Sequence, residues 1–256
     1  MSNFFTPAIL IRSVEYGDHD LIVTFLTRSD GKMSALAKSA KKSVKRFAGV
    51  LELFSILKIV CVTKKKGGLS ILNEAVIVDP LPGIRSDVKK TAYAGYWVEL
   101  IHQWLEERVQ QAAVYDLLKS ALMAINGPRG TEDGISAIFQ MKFMEESGLS
   151  PVLDRCVACG KSLDDMKNKK IGFSLAKGGV TCPECDPGLS ADMRLSKGTV
   201  KQLLWIAGKD MRQAQRARFS PPMLKEALGM LEAFAPFHLG KELKSLRFLK
   251  RIREAS

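Results

Sequence analysis

Two matched pairs of cysteines form the most specific chemical pattern in this chain. The pairs are Cys156-x-x-Cys159 and Cys182-x-x-Cys185, and twenty-two residues separate them. This spacing suits one tetrahedral Zn²⁺ ion held by four thiolates. Because four protein sulfurs fill the coordination sphere, such a site leaves no open position for a water or a substrate. The pairs therefore predict one structural zinc ion and a zinc-ribbon segment over about 150–188.

The same cysteines admit other interpretations, which are two disulfides, a redox pair, a catalytic zinc or chance. The chain opens without a basic segment followed by a long apolar run, so we expect no secretory signal, a cytoplasmic location and reduced thiols. A nucleic-acid deaminase would have a proline before the second pair and a His-x-Glu motif. Here Thr181 occupies the proline position. None of the three histidines, His19, His102 and His238, belongs to such a motif, so we favour the structural site. The fifth cysteine, Cys61, is expected in the core.

Two groups of basic residues are candidates for binding a polyanion. One lies in the N-terminal eighty residues, and the other lies on an amphipathic C-terminal helix whose remaining face is apolar. Phosphate contacts from Lys and Arg supply most of the affinity for nucleic acid, so their density is the needed ingredient. The predicted DNA-binding residues are Arg28, Lys38, Lys41, Lys42, Lys45, Arg46, Lys244, Arg247, Lys250 and Arg251.

The charge distribution supports this interpretation. The net charge of +12 is divided as +5 over residues 1–80, −2 over 81–193 and +9 over 194–256. Basic ends around a near-neutral middle predict a nucleic-acid partner, and the alternative is that the charge only favours solubility. No run of about 18 apolar residues occurs, so we expect no membrane partner.

Other residues near the first basic group leave alternatives open. Phe47 and Phe54 are candidates for stacking on bases, although burial preference favours a place in the core for both. The lysines at 64–66 lie at the tip of a predicted hairpin, where they either extend a binding groove or form a solvated turn.

The elements that would position the first basic group are strands. β-Branched and aromatic residues fill five short segments, and turn residues such as Asp30-Gly31 separate them. The expected strands cover 6–14, 21–27, 33–37, 50–63 and 69–79. Five short strands in about eighty residues predict an OB-fold β-barrel, a fold that binds single strands in a positively charged groove.

Beyond a linker at 79–83 the apolar residues recur with a helical period. The expected helices cover 86–108, 112–125, 131–147, 197–207, 221–234 and 241–253. The sequence thus predicts an α+β multidomain protein. A five-stranded OB-fold domain over 1–80 is followed by an all-α helical domain over 81–256, into which the zinc ribbon is inserted.

The chain lacks the motifs of common enzyme classes. It contains no Gly-x-x-x-x-Gly-Lys-Ser/Thr loop, no Gly-x-Ser-x-Gly elbow and no Gly-x-Gly-x-x-Gly motif, so we expect no catalytic activity. A metal-dependent nuclease stays an alternative, because dispersed carboxylates can meet in a folded chain. A zinc-ribbon accessory factor acting with RNA or a polymerase is the other alternative.

Several blocks of the sequence resemble the RecO family of bacterial recombination mediators. Their order and spacing cover nearly the whole chain, and together they are specific although each alone is weak. The blocks are YGDHDLIV at 16–23, TRSDGK at 27–32, RFAG at 46–49, CVACG at 156–160, GGVTC at 178–182 and HLGKELKSL at 238–246.

The resemblance implies an OB-fold, a helical domain with a zinc ribbon, and no catalytic residues. It implies binding to single- and double-stranded DNA and annealing of complementary strands, in DNA repair and homologous recombination at the nucleoid. The implied partners are RecR, the acidic C-terminal tail of single-strand binding protein and, indirectly, RecA. Some relatives lack the cysteines, so zinc is not expected to be the source of annealing. The family's diffuse DNA contacts map here onto Lys38, Lys41, Lys42, Lys45 and Arg46, and with them onto the basic C-terminal cluster.

Overall fold

The computed structural model describes residues 2–43, 45–63, 69–128, 131–187 and 192–255. The chain divides into two compact units, Met1–Pro128 together with Lys244–Ser256, and Arg129–Leu243. Within the described residues, every helix is too short or too polar to span a bilayer. The domain limits predicted from the sequence, at 1–80 and 81–256, remain predictions beside this division.

The first unit begins with a closed barrel. Alternating residues of the strands point to the inside, as the buried core residues Leu57, Ile59 and Cys61 show. The five strands are β1 (Ser2–Tyr16), β2 (Asp20–Thr27), β3 (Gly31–Ala37), β4 (Ile56–Thr63) and β5 (Ser70–Asp79). Their order around the barrel is β1-β2-β3-β5-β4, and β4 closes on β1. The predicted OB-type barrel is confirmed.

Three buried residues of the first unit have roles that the sequence left to prediction. Phe47 and Phe54 are both buried, and Phe47 packs within the barrel core. Neither ring is therefore available for stacking on bases. Cys61 lies in the same core, as predicted, and its burial raises the pKa of the thiol to about 12.

The fourth strand is shorter than its apolar sequence predicts. We expected a strand over 50–63, but β4 begins at Ile56. Phe54 has a left-handed backbone with φ of 72°, and its N–H donates to the carbonyl of Leu10 at 2.9 Å. The N–H of Leu10 in turn donates to the carbonyl of Ser55 at 3.2 Å. The apolar residues before β4 thus form a turn that packs on β1 instead of an extended strand.

Helices follow the barrel in the first unit. They are α1 (Pro82–Arg85), α2 (Val88–Trp104) and α3 (Ala112–Asn126). The carboxylate of Asp87 caps α2, because it accepts hydrogen bonds from the N–H groups of Lys89 at 2.8 Å and Lys90 at 3.1 Å. We expected this helix to reach residue 108, but it ends at Trp104.

The residues after α2 leave the helix because they pair with the barrel. Glu107 forms a β-bridge with Lys32, and the N–H of Arg108 donates to the carbonyl of Lys32 at 2.8 Å. At the neighbouring Gly31, φ is 65°, and a Cβ atom would lie 1.8 Å from the carbonyl oxygen of Val109. Only glycine permits both this conformation and this approach.

Gly31→Ala should therefore be strongly destabilising, by about 3 kcal/mol or more in the free energy of unfolding. Gly17→Ala is the matched control, because Gly17 has a φ of 60° but nothing within 4 Å of the added Cβ. It should cost only about 1 kcal/mol, the cost of the left-handed conformation. Urea titrations of both variants measure the difference. Equal losses would contradict the close contact at Gly31.

The second unit combines helices with a small antiparallel sheet. Its elements are α4 (Glu132–Glu146), β6 (Lys170–Ser174), β7 (Gly179–Thr181), β8 (Met193–Ser196), α5 (Lys197–Ala207), α6 (Met211–Ala214) and α7 (Pro221–Leu239). The strand order is β7-β6-β8. Phe173 of β6 packs edge-on against Phe234 of α7, with ring centroids 5.7 Å apart, so the sheet is anchored to a helix of its own unit.

The last helix, α8 (Lys244–Ala255), belongs to the first unit and packs against α2. We expected it to begin near residue 241, but it begins three residues later. At that point the carboxylate of Glu99, from α2, accepts hydrogen bonds from the N–H groups of Lys244 at 3.3 Å and Ser245 at 2.7 Å. Glu99 thus caps α8 from another helix and sets where α8 begins.

Candidate metal centre and nucleic-acid interface

The four cysteines converge within the second unit. Their Sγ atoms all lie within 4.8 Å of one another, and those of Cys159 and Cys182 are 3.6 Å apart. Four sulfurs around a tetrahedral Zn²⁺ would lie about 3.8 Å from one another, given a bond of about 2.3 Å. Cys156 and Cys182 are buried, Cys185 is partly buried and Cys159 is exposed. The cluster could therefore hold a metal ion, with one ligand at the surface.

Tight backbone turns present each pair of sulfurs. In the first turn, the N–H of Gly160 donates to the carbonyl of Cys156 at 2.9 Å. In the second, the N–H of Cys185 donates to the carbonyl of Cys182 at 3.1 Å. The N–H of Cys182 also donates to Sγ of Cys156 at 3.3 Å, which joins the two turns at the sulfur itself. A backbone N–H directed at sulfur favours the thiolate that a metal requires.

A close approach at Gly179 holds the first turn against β7. A Cβ atom on Gly179 would lie 2.5 Å from the carbonyl oxygen of Val152 and 2.6 Å from Cγ1 of Val157. The N–H of Val157 donates to the carbonyl of Val180 at 2.9 Å, on the same strand. Close packing therefore explains why glycine occupies position 179, the second residue of the Gly178-Gly179 pair that precedes the second cysteine pair.

The thiols of the cluster have opposite tendencies to ionise. Burial alone would raise the pKa of Cys156, but the N–H groups of Cys182, Cys159 and Ala158 outweigh burial and lower this pKa to about 6. Burial raises the pKa of Cys182 to about 12. Four adjacent thiolates repel one another, and a divalent cation would offset that repulsion. The donor set and its surroundings thus fit a bound dication.

The first basic group lies on a short segment anchored to the barrel. We call residues 38–46 the basic segment; it follows β3, includes one 3-10 turn (Ala40–Lys42), and is described except at residue 44. The N–H of Lys41 donates to the carbonyl of His19 at 3.0 Å. The N–H of Ser39 donates to the carboxylate of Asp20 at 2.7 Å. The segment is thereby fixed beside the turn between β1 and β2.

The cations of the basic segment differ in what they contact. The ammonium of Lys41 lies 2.8 Å from the carboxylate of Glu15. The guanidinium of Arg46 donates to the carbonyl of Lys38 at 3.1 Å and lies over the ring of Phe47. Three exposed ammonium groups form no ion pair with any carboxylate among the described residues, and they belong to Lys38, Lys42 and Lys45. These three are the cations best placed for phosphate.

Arg28, another predicted DNA contact, is already engaged. Its Nε and Nη2 each lie 3.1 Å from a carboxylate oxygen of Asp116, on α3. The hydrogen bond and the charge of Asp116 raise the pKa of Arg28. A phosphate would have to compete with this two-pronged pair. The lysines at 64–66 lie outside the described residues.

The second basic group occupies the outer face of α8. The predicted DNA-binding residues Lys244, Arg247, Lys250 and Arg251 are all exposed. The buried face of the helix consists of Leu246 and Leu249, and Leu243 is buried just before it. Nearer the end of the helix, the guanidinium of Arg253 lies 5.7 Å from the ring centroid of Tyr93 on α2. The apolar residues of the amphipathic pattern are therefore the buried ones, and its basic residues are the exposed ones.

A pocket beside α5 was not predicted from the sequence. Its volume is about 460 Å³, and it lies between α5 and the segment that carries the first cysteine pair. The signal was four consecutive apolar residues at 203–206, which is more than one helix face can bury. Leu203 and Ile206 are buried, whereas Leu204 and Trp205 are 38% and 39% exposed and line the pocket.

Within the described residues, the cysteines form the one group of three or more Cys, His, Asp or Glu side chains close enough to share a metal ion. The carboxylate pairs at 106–107, 145–146 and 164–165 belong to no such group.

Two family models match the chain, one after the other. Residues 1–81 match the model described as Recombination protein O N terminal. Residues 85–247 match the model described as Recombination protein O C terminal. The first match covers the barrel, and the second begins at α1 and continues into α8.

Curated relatives are similar over their full length. A protein named DNA repair protein RecO from Desulfatibacillum aliphaticivorans is 45% identical over 249 residues, which is 97% of this chain and 96% of the relative. The protein of the same name from Desulfosudis oleivorans is 38% identical over 99% of both chains. That from Symbiobacterium thermophilum is 31% identical over 100% of both. These names mention no catalytic activity.

Proposed function

The chain belongs to the RecO family, and from that premise we propose that it is a DNA repair and recombination mediator that binds single- and double-stranded DNA and anneals complementary strands. The observation that carries the proposal is the basic segment of the barrel. Lys38, Lys42 and Lys45 present exposed ammonium groups that no described carboxylate pairs with. Phosphate contacts of this kind bind nucleic acid without regard to its base sequence.

Annealing follows from charge neutralisation and requires no nucleotide hydrolysis. Two single strands repel each other, and a protein that covers phosphates on both lowers that repulsion. The basic segment and the outer face of α8 are two separate cationic surfaces of the first unit. One surface engages each strand, so that complementary bases meet at high local concentration. Arg28, Lys41 and Arg46 contribute positive field, although each also has a partner within the protein.

The cysteine cluster holds one Zn²⁺ ion in a structural role. Support comes from the convergence of four sulfurs and from the N–H that Cys182 donates to Sγ of Cys156. The ion supplies cross-linking of the two turns and neutralises the thiolates. Annealing is assigned to the basic surfaces and not to the metal.

The partners are those that the family resemblance implies. RecR acts together with the protein. The acidic C-terminal tail of single-strand binding protein recruits the protein to coated strands, and the protein then helps to load RecA onto these strands. This work is done in the cytoplasm at the nucleoid. The net charge of +12 supports recruitment by an acidic tail, since opposite charge speeds encounter.

Strand annealing in the presence of the matching single-strand binding protein tests the proposed function. We expect the protein to accelerate annealing of coated complementary strands, with no ATP and with a steep loss of rate between about 50 and 200 mM salt. Annealing no faster than that of the coated strands alone would contradict the proposal.

Two further measurements separate the alternative functions. If an activity that cleaves labelled DNA in the presence of Mg²⁺ or Mn²⁺ co-purified with the protein, the nuclease alternative would be favoured. Tighter binding to structured RNA than to single-stranded DNA, in direct competition, would favour an RNA accessory factor.

A further inference from the structure

The outer face of the barrel has a row of apolar side chains next to the basic segment. Val23 of β2 and Ala35 of β3 lie in the barrel core. Because successive side chains of a strand alternate, Ile22 and Leu36 point outward. Ile22 is paired with Leu36 on one side and with Val14 of β1 on the other. Three apolar side chains thus lie side by side across three strands, and each is at least partly exposed.

Tyr16 extends this row toward the basic segment. It lies two residues after Val14 on the same face of β1, and its partner in β2 is Asp20. Tyr16 is 56% exposed and Val14 is 39% exposed. The carboxylate of Asp20 accepts a hydrogen bond from the N–H of Ser39, which belongs to the basic segment. We call four outward-facing residues the outer platform, and they are Val14, Tyr16, Ile22 and Leu36.

The ring of Tyr16 is available where other rings are not. Phe47 and Phe54, which the sequence offered as stacking residues, are both buried. A side chain that is more than half exposed contributes little to packing, so the core does not require the ring of Tyr16. Stacking on a nucleobase needs only one accessible ring face, and Tyr16 supplies it beside the cations of the first unit.

Cations border the platform on the side of the basic segment. Lys38 directly follows β3, and the ammonium groups of Lys38, Lys42 and Lys45 are exposed and form no ion pair with a described carboxylate. The carboxylate of Glu15, next to Tyr16, is already paired with Lys41. Apolar surface bordered by cations complements a single strand, because the faces of its bases are apolar and its backbone is anionic.

We propose that the outer platform receives unpaired bases of single-stranded DNA, with one base stacked on Tyr16 and the neighbouring phosphates at the three lysines of the basic segment. The proposal rests on the proposed DNA-binding function and adds to it the surface that receives the bases. Asp18 is exposed in the turn beyond Tyr16 and would repel phosphate there, so the strand runs from the platform toward the basic segment. The bases of a duplex cover one another, and the platform therefore favours single strands.

An acidic peptide is the alternative occupant, because it too would be attracted by the lysines. Peptides bind sheets by adding a strand at an open edge, and they bind clefts by inserting side chains. The middle strand of the platform, β2, is hydrogen-bonded on both sides, to β1 and to β3. The platform is also the outside of a closed barrel, which is convex. A convex face with an exposed ring favours stacking over the capture of a peptide side chain.

Three ligands test the proposal on the full-length protein. They are a single-stranded 15-mer of thymidine, a duplex of the same length, and a 15-mer of deoxyribose phosphate that lacks bases. Tyr16→Ala should weaken binding to the thymidine strand by about tenfold, because it removes one stacked base. Binding to the duplex and to the strand without bases should not change. Tyr16→Phe keeps the ring and should bind all three ligands as the unchanged protein does.

Photochemical cross-linking locates the base directly. A 15-mer that contains 5-iododeoxyuridine should cross-link, on irradiation, to the peptide that contains Tyr16, and Tyr16→Ala should lose this product. Phe5→Ala is the matched control, since Phe5 is an exposed aromatic residue of the same strand that is paired with Val60 of β4, outside the platform. It should keep both the affinity and the cross-link.

Each contrary result has its own meaning. Normal affinity of Tyr16→Ala for the thymidine strand would overturn the platform and leave DNA binding by the basic segment intact. Equal losses for all three ligands would overturn stacking and leave Tyr16 a structural role. The proposed function itself would fail if the unchanged protein bound no DNA. If a peptide of alternating Asp and Phe bound the unchanged protein tenfold more tightly than Tyr16→Ala, and no cross-link to DNA formed, the platform would belong to a protein partner.

Discussion

Cys182→Ser should release the metal and unfold the two cysteine-bearing turns of the second unit, while the barrel of the first unit keeps its structure. Cys182 is fully buried, and its N–H also donates to Sγ of Cys156. Structural zinc contributes about 10–16 kcal/mol of apparent binding free energy in small zinc-binding peptides, and this free energy drives their folding. Loss of one ligand of four should therefore exceed the effect of an ordinary core substitution.

The expected loss is confined to part of the second unit. Strand β6 has its own anchor in the contact of Phe173 with Phe234, and Ile171 is also buried. The cysteine-bearing segments contain no aromatic residue, and their buried apolar side chains Leu163 and Met166 lie beyond the first turn rather than within it. Hydrogen exchange should therefore show lost protection over 154–166 and 182–187, with partial protection retained in β6.

Metal analysis and limited proteolysis measure this outcome. The unchanged protein should contain one zinc per chain, and Cys182→Ser should contain little and be cut within its cysteine-bearing turns. Cys61→Ala is the matched control, because Cys61 is a buried cysteine of the barrel that lies outside the cluster. It should keep the zinc and lose only about 1–2 kcal/mol of stability. If Cys182→Ser kept its zinc and resisted protease, the structural role of the cluster would be wrong.

The cysteine cluster could be predicted because its information is local. Two pairs with two-residue spacing specify the geometry of each turn, and the turns then need only meet. The barrel was predictable for a similar reason, since runs of β-branched and aromatic residues mark strands and the Asp30-Gly31 turn marks a hairpin. The local pattern did not show at which residue each helix or strand begins or ends.

Two of the wrong helix boundaries are set by residues distant in the chain. Helix α2 ends early because Glu107 pairs with Lys32, and α8 begins late because Glu99 caps it. These contacts join residues about 75 and 146 positions apart, so no sequence window contains both partners. The prediction of a strand over 50–55 was wrong for another reason, because a buried turn and a buried strand can have the same apolar composition.

Sequence also could not rank the basic residues. Charge density identified the basic segment, but only the structure shows that Arg28 is paired with Asp116 and Lys41 with Glu15. A cation that must first leave a carboxylate gains less from a phosphate. The three lysines without such a partner among the described residues therefore become the sharper test of DNA binding.

Reversing the charge of those lysines, in a Lys38→Glu, Lys42→Glu and Lys45→Glu triple variant, should weaken DNA binding by about a hundredfold or more at moderate salt. Their side chains are exposed and the backbone of the segment is held by Asp20 and His19, so the fold should persist. Fluorescence anisotropy with single- and double-stranded DNA measures the affinity, and the annealing rate should fall with it.

Net charge alone could produce part of this loss, and a matched variant measures that part. Lys167, Lys177 and Lys225 are exposed lysines of the second unit that do not line the pocket beside α5. Changing these three to Glu alters the total charge by the same amount. This control should lose far less affinity, because a change in overall charge acts only through the salt-screened field and removes no contact made by the basic segment.

The salt dependence separates lost contacts from a changed field. Each phosphate contact adds about 0.9 to the slope of log affinity against log salt concentration. Removing three contacts should therefore lower the slope by about three, whereas the control variant should keep the slope of the unchanged protein. An unchanged slope in the triple variant would show that the basic segment does not touch phosphate. The contacts would then have to be sought on the outer face of α8, where Lys244, Arg247, Lys250 and Arg251 offer the same test.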